Sequence, residues 1–192
     1  MSLQEIIKKK GYSIAIWKET ETLKELLNLN TDIKAYNIAS NKRKKEYITV
    51  RLLLKNVLPN AQISYNEYGG PELDQNKHIS ISHSKGLTAI MIADMPIGID
   101  IEKISAKSLK ISGKFILEKS HLPLTKEKTT LIWCCKEAIY KLHVTGKIDF
   151  KDILIDPFTI QNAGTIQAKF KDITYSLTYK RISNHFLVYV CK

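Results

Sequence analysis

Cysteine, acidic side chains and long apolar runs are all in short supply in this sequence, and each shortage removes a class of protein. There are three cysteines. Cys134 and Cys135 are adjacent while Cys191 lies far away, so neither a metal-binding spacing nor a disulfide framework is present. The adjacent pair reads as two small residues on a buried or half-buried helix side rather than as a reactive vicinal dithiol. The most apolar stretch, Ala89 to Ile101, is interrupted by Asp94, Pro96 and Asp100, so no run of ~20 apolar residues exists to cross a bilayer. Met1 to Lys10 places its lysines after a short apolar stretch, the reverse of a secretory leader, and the expectation is a cytoplasmic protein with no membrane partner. With 8 glycines and 5 prolines the chain is neither collagen-like nor low in complexity. Acids are outnumbered, 19 Asp and Glu against 30 Lys and Arg, which leaves a formal charge of +11. That surplus draws polyanions, whether nucleic acid, acidic protein, phosphorylated cofactor or anionic surface, and disfavours a purely cationic ligand.

The 192 residues that are present, 44% of them hydrophobic, suffice to bury a core without staples. Tyr12 to Trp17 alternates like a strand, and Glu19 to Leu29 carries Leu23, Leu26 and Leu27 at helical spacing. A longer helix is predicted from an N-cap at Ser40 to about Leu58, with Tyr47, Val50, Leu54 and Val57 as its apolar positions. Strands are predicted at Ile63 to Tyr68, His78 to His83, Thr88 to Ala93 and Ile97 to Ile101, with a turn at Gly69-Gly70-Pro71. Helices follow at Ser105 to Glu118 and Thr125 to Val144, the second with Leu131, Ala138 and Leu142 on a shared side. Further strands are predicted at Ile153 to Ile155, Thr165 to Phe170, Ile173 to Tyr179 and Phe186 to Val190. Strand, helix and strands thus occur twice without a sequence repeat. This layout predicts an α+β protein of two similar halves, residues 1–98 and 99–192, each a small, mostly antiparallel sheet with packed helices.

Within Gly98-Ile99-Asp100-Ile101-Glu102, strand alternation sends Asp100 and Glu102 to one face and packs Ile99 and Ile101 behind. Two neighbouring carboxylates repel and resist desolvation; a shared hard cation such as magnesium relieves both. Taken alone, the pair fits a wet strand face equally well. In the helix, Trp133, Glu137 and Lys141 stand four apart and share a face. They could complete a metal–phosphate site or be a surface ion pair beside a core tryptophan, and spacing alone favours the second. The strand His78 to Ser84 puts His83 on the face of Ile79 and Ile81, away from Ser80 and Ser82. At the strand end the His83 ring and the Ser82 hydroxyl could both donate to a phosphate. Gly69-Gly70-Pro71 is first a turn, open to close approach by a base or phosphate. Lys42 to Lys45 gain nothing from the helix dipole at their N-terminal position, and Arg43, with its planar fork, is the best candidate there for a phosphate.

In this order these segments resemble the 4′-phosphopantetheinyl transferases, specifically the larger surfactin-synthetase-activating type. That family shows a basic helix with an Arg-x-x-Glu start and a Gly-Lys-Pro turn. An Ile-Ser-His-Ser strand, a Gly-Ile-Asp-Ile-Glu strand and a Trp-x-x-Lys-Glu-Ala-x-x-Lys helix follow. The resemblance covers about residues 40 to 155, and its last two motifs carry most of the specificity. It implies a pseudo-dimer of two α+β halves with the active site between them. It implies Asp100, Glu102 and Glu137 as ligands of magnesium (manganese being the alternative ion). It also implies Lys141 on the coenzyme A pyrophosphate, and Ser82, His83 and Arg43 on the coenzyme A phosphates, with Gly70 and Pro71 at the adenylate end. One departure stands out: the turn lysine is Gly70 here, and Lys42, Lys44 and Lys77 are the candidates to replace its charge. The stretch between Glu102 and Trp133 is short for the type and is expected to contribute to carrier docking.

The implied reaction moves 4′-phosphopantetheine from coenzyme A, the co-substrate, to a serine of an acidic apo acyl or peptidyl carrier protein, releasing adenosine 3′,5′-bisphosphate. Either Glu137 or a metal-bound water could take the serine proton. Two halves in one chain imply a monomer, and fatty acid synthesis is one pathway that uses such carriers. Two rival readings are another metal-dependent phosphoryl-transfer enzyme, such as a nuclease, and a basic nucleic-acid-binding domain. The scattered basic residues and the lack of aromatic stacking motifs argue against nucleic acid as a partner.

Overall fold

The N-terminal strand pattern folds as a hairpin of which the sequence announces only one arm. The computed structural model describes residues 3–29, 38–143 and 148–192. In it β1 (Leu3–Lys9) pairs antiparallel with β2 (Tyr12–Lys18). β1 escapes the sequence analysis because it is a sheet edge whose Glu5, Lys8 and Lys9 interrupt the apolar alternation, a common way of blunting an edge. Helix α1 (Leu23–Leu29) starts later than the expected Glu19. Thr22 and Glu25 form a capping box there, with Glu25 N donating to Thr22 Oγ1 at 3.3 Å and Thr22 N donating to Glu25 Oε2 at 2.7 Å.

Helix α2 (Asn41–Val57) has the expected Ser40 N-cap, whose hydroxyl accepts from Arg43 N, and ends at Leu58. Its buried stripe is wider than predicted. Ile48, Leu52 and Leu53 are buried, whereas Tyr47 and Val57 are only half-buried. The predicted strand to Tyr68 stops early: β3 (Ile63–Tyr65) pairs with β4 (Pro71–Leu73). Asn66 ends it, because its Oδ1 accepts from Tyr68 N at 3.0 Å and Gly70 N at 2.8 Å and so closes the turn. β5 (His78–Ser84) and β6 (Leu87–Ala93) complete a sheet ordered β1-β2-β6-β5. Leu53 and Ile48 of α2 pack with Ala15, Trp17, Ile79, Ile90 and Ile92 from one face of that sheet.

The chain divides into two compact units, Met1–Asp94 and Met95–Lys192. The second opens with β7 (Ile97–Lys103). The helix expected over Ser105 to Glu118 shrinks to α3 (Ala106–Lys110) and a 3-10 turn at Ser112–Lys114. Gly113 is a poor helix former, and the Phe115 carbonyl is captured by the Lys136 ammonium rather than by a next helical turn. Helix α4 (Lys126–Leu142) has Thr125 as N-cap, its hydroxyl accepting from Lys128 N at 3.1 Å. The predicted end at Val144 lies outside the described residues. β8 (Ile153–Ile155), β9 (Ala163–Phe170), β10 (Ile173–Ile182) and β11 (His185–Cys191) form with β7 a sheet ordered β7-β11-β10-β9-β8. Every strand pair described in these sheets is antiparallel. The architecture is α+β, as predicted. Among the described residues no helix is long and apolar enough to cross a membrane.

Candidate functional site

Within the second unit, glycine and alanine decide how closely helix meets strand. A Cβ at Gly98 would collide with the Ala138 carbonyl oxygen and lie 2.9 Å from Leu142 N, so β7 and α4 touch backbone to backbone. Alternation along β7 then turns Asp100 and Glu102 to the same face as Gly98, toward α4, and Ile99 and Ile101 to the other. Opposite them on β11, Phe186 pairs with Glu102 and Val188 with Asp100, and both join the core under α4. The acidic face is therefore the helix-covered one rather than a wet one.

Asp100 is 3% exposed. Its Oδ1 accepts from Lys141 Nζ at 2.7 Å, and the same ammonium donates to Ile99 O at 3.1 Å. Glu137 and Glu102 are half-buried. Burial, then the Asp100 charge, push the Glu137 pKa up to about 7; Lys141 pulls the other way and Glu102 adds a smaller push. The structure thus brings Asp100, Glu102, Glu137 and Lys141 into one electrostatic cluster. Glu102 and Glu137 line a cavity of about 160 Å³ with Lys103, Ser105, Lys107 and Trp133. Cys134 and Cys135 are fully buried, and burial, followed by the charge of Asp100, pushes both thiols up; as expected, they are not reactive groups.

Among the described residues no group of three or more His, Cys, Asp or Glu is drawn together as a metal centre. The donor set nonetheless fits a hard divalent ion: it offers oxygen ligands only, and burial first, then the Asp100 charge, disfavour the ionised Glu137 carboxylate that a cation would stabilise.

Lys136 received no role from the sequence, yet it is fully buried and donates to Phe115 O at 2.6 Å and Phe150 O at 2.9 Å. The rings of the same two residues flank Trp133, with centroids 5.1 Å and 5.0 Å from it. Lys136 and Trp133 therefore tie two irregular segments to α4 beside the acidic cluster. The signal was available, since position 136 lies four after Ile132 and three before Ile139, both buried.

In the first unit, Arg43 and His83 line a cavity of about 760 Å³ together with Ser40, Glu46, Tyr47 and Tyr65. His83 lies on the α2 face of its sheet, in line with Ile79 and Ile81. Ser82 points to the other face, is buried, and is not part of this lining. Gly70 and Pro71 sit at the hairpin end, and the left-handed residue of the turn is Gly69, at φ +77°, rather than Gly70. Two of the three lysines considered as replacements are engaged elsewhere: Lys77 with Asp94, and Lys42 with Glu46 at 3.6 Å. The guanidinium of Arg51 lies 3.3 Å from the Tyr47 ring centroid.

A model of the 4′-phosphopantetheinyl transferase superfamily matches residues 96–191, half of the 192-residue chain, and the chain belongs to that superfamily. It is also similar to the 4′-phosphopantetheinyl transferase gsp of Aneurinibacillus migulanus, with 34% identity over 93 residues. That alignment covers 44% of this chain and 39% of the relative, so the chain matches well under half of the relative's length.

Proposed function

We propose that this protein transfers 4′-phosphopantetheine from coenzyme A to a serine hydroxyl of an apo carrier protein, in a reaction that depends on magnesium. The observation that carries the reading is the coupling of Asp100, Glu102 and Glu137 beside the Lys141 ammonium, in a chain of this superfamily. Asp100, Glu102 and Glu137 would hold the ion, which would neutralise charge on the pyrophosphate when bound.

The protein's own groups supply the rest. Arg43 and His83 grip the 3′-phosphate, and the backbone at Gly70 and Pro71 borders the adenylate end. Ser82 belongs to the same phosphate-binding strand and contributes through its backbone, given where its side chain points. The serine oxygen attacks the phosphorus that bears pantetheine; a new P–O bond forms, and the bond to adenosine 3′,5′-bisphosphate breaks. The serine proton goes to a Glu137 carboxylate oxygen. Lys141 shifts from Asp100 to the leaving phosphate and stabilises its charge.

Net positive charge favours both substrates, a polyanionic cofactor and an acidic carrier. The chain acts as a cytoplasmic monomer in this reading, and fatty acid synthesis is one pathway that would supply the carrier. Incubation with coenzyme A, magnesium and a panel of apo-carriers, read by intact mass, is the test. A gain of about 340 Da on a carrier, the mass of the transferred arm, supports the proposal. No gain on any carrier, with nuclease activity instead, would favour the rival phosphoryl-transfer reading.

A further inference from the structure

We propose that Lys85, at the tip of the β5–β6 hairpin, is a phosphate-binding residue: its ammonium joins His83 and Arg43 on the 3′-phosphate of the donor and replaces part of the charge missing at Gly70. The inference rests on the coenzyme A reading and adds to it a residue just outside the Ile-Ser-His-Ser motif. Its starting point is a backbone conformation. Ser84 pairs with Leu87, so Lys85 and Gly86 are the whole loop, and both have positive φ, +35° and +90°. That is the geometry of a type I′ turn, whose first position favours Asn, Asp or Gly. A lysine enters it against its own backbone preference.

Two other non-glycine residues take the left-handed region, and each has a local contact there. The Lys171 ammonium lies 5.4 Å from the Phe170 ring centroid, and the Ser183 carbonyl accepts from Arg181 Nε at 3.3 Å. Lys85 is exposed, and among the described residues its ammonium has no ion pair or hydrogen bond. The turn itself is anchored. Glu19 N donates to Gly86 O at 2.8 Å, while the Glu19 carboxylate accepts from the Thr88 hydroxyl at 2.8 Å. The acid beside the turn is therefore engaged, and the cation is held at a fixed tip without a partner of its own. Strain with no local contact to offset it points to function. Position says which function. Lys85 follows His83 by two residues, about 7 Å along the chain, and His83 lines the cavity of about 760 Å³ together with Arg43. Lys42 and Lys77, by contrast, are bonded to Glu46 and Asp94.

The test is calorimetric titration of the full chain at low salt with coenzyme A and with dephospho-coenzyme A, which lacks the 3′-phosphate. Wild type, Lys85→Asn, Lys85→Arg and Lys171→Asn are compared, with a thermal melt for each. Lys85→Asn gives the turn the Asn-Gly pair it prefers, so the melting temperature should hold or rise by about 2 °C. One charge about 8 Å from a phosphate dianion in water is worth about fivefold in affinity. Lys85→Asn should therefore bind coenzyme A about fivefold more weakly and dephospho-coenzyme A as wild type does. Stability and binding then move in opposite directions, which a lysine with a merely structural role would not produce. Lys85→Arg keeps the charge and should stay within about twofold of wild type. Lys171→Asn removes the same charge from another left-handed turn and should leave both affinities unchanged. Unaltered coenzyme A binding by Lys85→Asn overturns the inference. An equal loss of both donors does so too, as does an equal loss in Lys171→Asn, which would be an effect of net charge alone. A wild-type protein that binds neither donor refutes the functional reading itself; one that binds both, with Lys85→Asn unaffected, removes only this residue.

Discussion

Replacing Glu137 with glutamine keeps the shape of the side chain and removes its titration, which gives a direct handle on the acidic cluster. Burial and the neighbouring Asp100 and Glu102 raise this carboxyl from 4.5 to about 7, against the pull of Lys141. A gap of about 2.5 units at about 1.4 kcal/mol per unit corresponds to about 3 kcal/mol. The sign follows from proton counting. Between pH 4.5 and 7 the folded state holds a proton that the unfolded chain has lost, so stability is highest on the acid side and falls as pH rises through this window. Glutamine mimics the protonated form. In chelator, Glu137→Gln should match wild type near pH 4 and exceed it by about 3 kcal/mol at pH 8. For a chain of this size that is about 6–12 °C in melting temperature. Magnesium at pH 8 should raise the wild-type melting temperature and close most of the gap, because the ion relieves the same repulsion. A glutamine variant no more stable than wild type at pH 8, or one shifted equally at every pH, would refute the reasoning.

Other expectations are simpler. Gly98→Ala drives a methyl into the Ala138 backbone and should cost about 2–3 kcal/mol in denaturant unfolding, as overpacking does where backbone must yield; a neutral result would mean that β7 and α4 are further apart than described. Lys136→Met leaves the Phe115 and Phe150 carbonyls buried without their donor, with an expected loss of about 2–4 kcal/mol in the same assay. Gly70→Lys restores the family's turn residue at a position whose backbone does not need glycine. It should leave the melting temperature within about 2 °C and lower the KM for coenzyme A; an unchanged KM would show that the charge is already supplied elsewhere.

The chemistry-bearing segments were legible because each follows a simple period. Alternation put Asp100 and Glu102 together, helical spacing put Glu137 beside Lys141, and Ser40 and Thr125 marked helix starts through their hydroxyls. What failed were places where a tertiary partner overrides the local pattern. Edge strand β1 has too many charges to show alternation, and the Ser105 to Glu118 segment gives up its helix to Lys136. The strand through Tyr68 ends where Asn66 folds back on its own backbone. Alternation also separated Ser82 from His83 in the sequence, and the structure keeps them on opposite faces. The tightness of Gly98 against Ala138 was written in two small residues 40 positions apart, a relation invisible until strand and helix are packed.

Manganese binding followed by electron paramagnetic resonance addresses the three carboxylates most directly. With coenzyme A present, wild type should take up one Mn²⁺ per chain in competition with magnesium, while Asp100→Asn and Glu137→Gln, checked for folding, should each lose it. Stoichiometric manganese binding that survives both substitutions would contradict the assignment of Asp100, Glu102 and Glu137 to a single ion.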